Sequence, residues 1–249
     1  MLCLAGYNPG LIPSTVVRTR VVLAGAAGLA VAIASADRMR DVLQLSGLFL
    51  PKAAGLFSVV LAIVVARIDA HHPFPRLGPA TVMTLARALM VSLVAALIGE
   101  PVRADVAWTA AILALVVSLL DGADGWLARR TRLASDFGAR FDMEVDALLI
   151  VVLAILVWQH GKAGVWVLLS GLLRYVFVAA GWMLPWLERP LPASRRRQSI
   201  CVVQVAGLIV AVVPEVPPAA SAFLSAAALA ALVWSFVVDV AWLRHRASE

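Results

Sequence analysis

The sequence predicts an all-α fold, a polytopic membrane helix bundle in which two N-terminal spans precede a six-span core. Three observations predict it. Of 249 residues, 62% are apolar and 14% charged, where soluble domains run about 45–50% and about 25%. The mean hydropathy is +0.93. The apolar residues gather into eight runs separated by short polar breaks, each run close to the roughly 20 residues that cross a bilayer. No soluble domain of any size fits beside them.

The runs lie near 21–36, 46–66, 79–98, 106–128, 138–158, 163–186, 199–213 and 219–241. The first is preceded by Arg18 and Arg20 and ends in "ASAD", where Ala34 and Ala36 resemble a signal-peptidase site. Its polar lead-in is long for a signal peptide, so the expectation is a retained span. "DRMRD" separates it from the second run, and "HHPFPRLGP" separates the second from the third. "GEPVRAD", "RRTR", "QHGK", "ERPLPASRRRQ" and "PEVPP" supply the remaining breaks, rich in the Gly, Pro and charge expected of loops. The chain shows no low-complexity tract and no internal repeat. Cys3 and Cys201 lie far apart without metal-ligand spacing, which argues against a disulfide framework or a zinc site.

Lys and Arg set the orientation. The N-terminal tail and every second loop after it hold fourteen of them; the other side holds five, and Arg87 and Arg174 fall within spans. That bias places the first set in the cytoplasm and favours an even number of spans. The net charge of +6 reads as basic loops against anionic lipid, with no nucleic-acid partner.

One stretch breaks the apolar rule. "DGADGWLARRTRLASDFGARFDMEVDALLI", residues 121–150, holds six of the fifteen acids of the chain. Asp121 and Asp124 are three apart and share a helix face; Asp142 and Asp146 are four apart and do likewise. The two pairs stand at similar depths on either side of the turn, at about 1.5 Å rise per residue. Antiparallel helices would present four carboxylates to one another. Repulsion and desolvation forbid four free anions there, and acids within a membrane are costly and usually functional. One or two hard divalent cations solve the problem; magnesium takes oxygen ligands alongside substrate phosphates. Gly122, Gly125, Ala128 and Gly138 keep the space open for a ligand or the facing helix. Arg129 suits a phosphate at the mouth of the site. Asp136 is expected in the turn, and Glu144 off the reactive face. The bland reading is a polar hairpin held by Asp–Arg pairs without chemistry.

These residues resemble the CDP-alcohol phosphotransferase (CDP-alcohol phosphatidyltransferase) family, whose signature is D-x2-D-G-x2-A-R-x8-G-x3-D-x3-D. The match is complete: Asp121, Asp124, Gly125, Ala128, Arg129, Gly138, Asp142 and Asp146 stand at the family spacing, with the fixed eight-residue gap between Arg129 and Gly138. The resemblance implies residues 71–249 as a six-span catalytic core and residues 1–70 as an accessory transmembrane hairpin. It implies transfer of a phosphatidyl group from CDP-diacylglycerol to an alcohol, releasing CMP, in phospholipid synthesis. Asp121, Asp124, Asp142 and Asp146 would hold two ions, Mg2+ or Mn2+, with Asp146 also the general base. Gly125, Ala128 and Arg129 would line the nucleotide site. A homodimer in a bacterial inner membrane is implied, its site open to the cytoplasm, in agreement with the Lys and Arg bias.

Other residues extend the reading. Thr84 and Arg87, three apart in "TVMTLARALM", resemble the pattern near the nucleotide in the family's first core helix. Arg174 sits mid-span and needs an acid or a phosphate partner; an acceptor-pocket role is the expectation. Arg195, Arg196 and Arg197 combine a positive-inside anchor with contacts for an anionic acceptor. Asp239 is expected to pair with Arg244. The leading acceptor is a phosphorylated polyol such as glycerol 3-phosphate; inositol phosphate, serine and a lipid acceptor are alternatives. The rival of another class is a cation-coupled secondary transporter, which would place its acids at the midplane within repeats.

Overall fold

A computed structural model describes residues 14–71, 79–131, 136–188, 192 and 194–247. Every regular element among them is helical: α1 (Ser14–Leu43), α2 (Phe49–His71), α3 (Pro79–Ala96), α4 (Ala104–Thr131), α5 (Asp136–Gln159), α6 (Leu169–Met183), α7 (Arg195–Val212) and α8 (Pro218–Ala247). They answer one for one to the eight expected runs. Among the described residues, five stretches are long and apolar enough to cross a membrane: Val21–Leu43, Phe49–Ala66, Ala104–Gly122, Val165–Met183 and Pro218–Arg246. The chain is an integral membrane protein. The other three helices fall short for visible reasons. The apolar part of α3 is the shorter Val82–Ala96, α5 opens with a run of acids, and α7 opens with three arginines.

The chain divides into two compact units, Met1–Leu93 with Leu119–Val145, and Val94–Ser118 with Asp146–Glu249. In the first, α1 and α2 form a hairpin. Its seam is made of small residues on α1 and bulky ones on α2. A Cβ on Gly25 would run into the Leu61 side chain, and one on Gly28 would lie 3.0 Å from Phe57. Ala32 and Ala36 continue the α1 stripe toward the turn, while Phe49, Ala53 and Phe57 line α2, all fully buried. With apolar lipid outside, close van der Waals packing of this kind drives helix association. α1 runs unbroken through "ASAD", extended beyond its apolar run by an Asp37–Arg40 ion pair of 3.0 Å. It stops where Gln44 adopts φ 48°. There the Leu45 N–H donates to the Arg40 carbonyl and the Gln44 amide donates to the Asp41 carbonyl, so the last carbonyls find donors as a helix end requires.

In the second unit, α5 supplies the core. Leu149, Leu153, Leu156 and Val157 are buried to within 1%. α6 approaches α5 through Gly171, whose absent Cβ would meet Val151. Turns of 3-10 helix at Val165–Leu168 and Pro185–Glu188 flank α6, which shortens the single span expected over 163–186. The far ends of the helices are fastened by polar side chains. Gln159 accepts from the Gly99 N–H at 2.7 Å and donates to the Glu100 carbonyl at 2.9 Å. The buried Lys162 ammonium donates to the carbonyls of Val213, Pro214 and Val216, at 3.0, 2.9 and 2.6 Å. A cation at a helix C-terminus also meets the negative end of its dipole. Lys162→Met is expected to strand these carbonyls and cost roughly 3 kcal/mol, read as a lower thermal midpoint in detergent.

His160 lies in the turn after α5, half-buried, and its Nε2 has no hydrogen-bond partner among the described residues. Burial first, and the neighbouring Lys162 charge second, push its pKa below the ordinary histidine value. The folded state thus prefers the neutral ring. The unfolded chain binds the extra proton below about pH 6.5, so this contribution to stability is complete above that pH and is lost as pH falls beneath it. A His160→Gln variant is expected to show a flatter fall of the thermal midpoint on acidification; an unchanged slope would contradict this.

Candidate metal centre

The end of α4 and the start of α5 carry the acidic stretch, as their helical spacing requires. Asp121 lies past the middle of α4, half-buried, and Asp142 and Asp146 lie one turn apart on α5, also half-buried. α5 is continuous between Val145 and Asp146, so the helix itself fixes Asp146 relative to Asp142. One carboxylate oxygen from each of Asp121, Asp142 and Asp146 lies within 4.8 Å of the others. Two unit anions at that spacing repel by about 3–4 kcal/mol at an effective dielectric near 20, so the cluster demands positive charge.

Part of that charge comes from α3. Arg87 is fully buried, and its Nη1 lies 2.9 Å from Asp121 Oδ1. The same Nη1 donates to Asp142 Oδ1. Thr84, one turn earlier on α3, is buried as well. The sequence suggested a nucleotide neighbour for Arg87; its protein partners are two of the carboxylates. That pairing depends on how α3 lies against α4 and α5, which no spacing within one segment discloses.

Asp124, Gly125, Ala128 and Arg129 continue α4, and their side chains lie outside the described residues. Asp136 begins α5, and its side chain lies outside them too. Glu144 is exposed, Gly138 half-buried. A Cβ on Gly122 would meet nothing within 4 Å, so packing against a facing helix does not account for that glycine.

The donors suit a hard cation. All are carboxylate oxygens, which favour magnesium, manganese or calcium over zinc and copper. Oxygens across one octahedral magnesium stand about 4.2 Å apart, a little inside the observed limit, so small rotations of the carboxylates would close the set.

The arginines of α7 make a second cluster, in the second unit. Asp239 on α8 receives Arg197 at 3.2 Å and also pairs with Arg196. Arg196 stacks over Trp234, 5.5 Å from the ring centroid, and Arg197 donates to the Pro192 carbonyl. The expected Asp239–Arg244 pair is therefore corrected. Those two stand five apart, about 140° around the helix, whereas α7 packs against α8 and brings its own arginines to Asp239. The signal available in the sequence was Asp239 itself, the lone acid of an otherwise apolar last helix. Arg196 Nη1 is buried with no hydrogen-bond partner among the described residues. Arg195 is exposed, and Arg174 is half-buried on α6.

Helical spans with a carboxylate cluster shared by two neighbouring helices define a class: integral membrane proteins with a site that could hold a hard cation. The profile of the family described as CDP-alcohol phosphatidyltransferase matches residues 78–239. That is well over half of the chain, and the chain belongs to this family. No match was found among curated proteins or among solved structures. The matched range begins at α3 and ends at Asp239, so it takes in Arg87, the acidic stretch and the α7 arginines.

Proposed function

We propose that the protein transfers a phosphatidyl group from CDP-diacylglycerol to an alcohol and releases CMP. Membership of the family supports phosphatidyl transfer. The observation that carries the site assignment is the gathering of Asp121, Asp142 and Asp146 within 4.8 Å, three of the signature's four aspartates. Asp121, Asp124, Asp142 and Asp146 would hold Mg2+ or Mn2+, two ions in the full site. Bound there, the cations would neutralise the pyrophosphate and stabilise the charge that builds on the leaving CMP.

The residues of the chain do the rest. Asp146 takes the proton of the acceptor hydroxyl. That oxygen forms a bond to the phosphorus bearing the diacylglycerol, and the bond from this phosphorus to the bridging oxygen breaks. The electron pair leaves with CMP, and the proton stays on Asp146. Gly125, Ala128 and Arg129 line the nucleotide, with Thr84 and Arg87 behind them. The acyl chains remain in lipid while the head group enters the polar end of the helices, which accounts for a site at the membrane boundary.

The acceptor is an anionic polyol such as glycerol 3-phosphate, met by Arg174, Arg195, Arg196 and Arg197. Arg196 and Arg197 share one carboxylate, so the pair keeps a net positive charge, and the buried Nη1 of Arg196 is a donor with no partner among the described residues. An oligomer with a second copy of the chain, a plasma-membrane location and a cytoplasmic site complete the proposal, the last supported by the Lys and Arg bias. The test is CMP release by the purified protein across a panel of alcohols. Glycerol 3-phosphate is expected to be used best, and an Arg196→Gln variant to raise its KM with less effect on kcat. Preference for an uncharged alcohol such as serine, unaffected by Arg196→Gln, would exclude the anionic acceptor.

A further inference from the structure

Arg87 is costly where it stands. A fully buried guanidinium loses its hydration, and a buried ion pair seldom stabilises a fold more than an apolar replacement would. Its retention at the acidic cluster calls for a role beyond packing. We infer that Arg87 is the resident counter-cation of the metal centre: it holds Asp121 and Asp142 together when no divalent ion is bound, and it weakens the ion's grip when one is. This rests on the metal site proposed above.

Charge accounting favours it. The signature's four aspartates present negative charge for two divalent ions to meet, and Arg87 sets one fixed positive charge against two of those aspartates. An arginine cannot give up its proton in a protein, so this compensation is permanent at every working pH. The geometry agrees: one guanidinium nitrogen reaches both Asp121, at 2.9 Å, and Asp142, and so bridges α4 to α5 across the place where an ion would sit. Without Arg87 the close carboxylates of α4 and α5 would lose the cation that bridges them. With it, the two carboxylates stay bridged. The guanidinium then repels the incoming ion, so that ion exchanges readily.

The experiment measures Mn2+ binding to the full-length protein in detergent, without substrate, by electron paramagnetic resonance and by titration calorimetry in buffers of different ionisation enthalpy. Arg87→Gln is compared with Arg87→Lys and the wild type. At mildly alkaline pH, Arg87→Gln is expected to bind Mn2+ about tenfold more tightly. Arg87→Lys should stay near the wild type. Unchanged or weaker Mn2+ binding in Arg87→Gln would overturn the inference and leave the metal site standing, as would a loss confined to CMP affinity. An Arg87→Gln protein that unfolds on chelation and recovers with Mn2+ supports it. One that stays unfolded in saturating Mn2+ overturns it, because the ion should then do the arginine's work. A wild-type protein that binds no Mn2+ overturns the metal site and the inference together.

Discussion

Asp146→Asn is expected to lower the rate of CMP release by about 10²–10⁴-fold, the usual worth of a positioned general base. Asparagine fills the same volume and keeps an oxygen, so the fold and much of the cation binding should survive. What is lost is the ability to accept the acceptor's proton. The fall should therefore appear in kcat, with a smaller change in the cation concentration needed for half-maximal rate. Asp121→Asn should divide its effect the other way, because Asp121 is proposed as a ligand and sits against Arg87. Metal titrations of the two variants would separate the roles. Equal and purely metal-rescuable losses in both would remove the distinction between base and ligand.

Gly171→Ala is expected to be the most damaging single methyl group in the second unit. A Cβ there would stand 2.5 Å from Val151 Cγ2 and 2.8 Å from Val151 Cα. A side chain can rotate away, but a backbone carbon cannot without moving its helix. Overpacking in tight cores costs about 1–3 kcal/mol, and a backbone clash belongs at the upper end. The helix displaced is α5, which carries Asp146, so activity should fall along with the thermal midpoint. Adding Val151→Ala removes the clash with the side chain and leaves the clash with the backbone, so rescue should be partial. Gly122→Ala is the matched control, since nothing lies within 4 Å of the Cβ it would add. A Gly171→Ala protein as stable as the wild type would contradict the close α5–α6 packing.

Features that depend on one helix were legible in the sequence. Each of the eight runs coincided with one helix, give or take its ends, because apolar length and Gly/Pro punctuation are local signals. The grouping of Asp142 with Asp146 followed from helical periodicity, and so did the exposure of Glu144. What the sequence hid was contact between helices. Arg87 was read beside Thr84 on one face of α3, yet its partners lie on α4 and α5. Asp239 was paired with an arginine on its own helix, and α7 supplied two from another. The packing of Gly171 on Val151 leaves no trace in the pattern of either segment. The helical turns flanking α6 were also missed, because Gly164 and Pro185 lie inside a run whose hydropathy alone suggests one unbroken span. The acceptor rests on the same kind of inter-helix geometry, which is why the aspartate signature speaks to the donor and so little to the alcohol.

If the aspartates of α4 and α5 form a cation-dependent centre for phosphatidyl transfer, one measurement tests it most directly: release of CMP from CDP-diacylglycerol by the purified protein, followed with and without Mg2+ or Mn2+. Release is expected to require both an alcohol and a divalent cation, to stop on chelation, and to be lost in Asp121→Ala. Release that persists in Asp121→Ala would contradict the metal centre. So would no release with any alcohol in the panel, accompanied by ion-driven flux when the same protein is placed in liposomes.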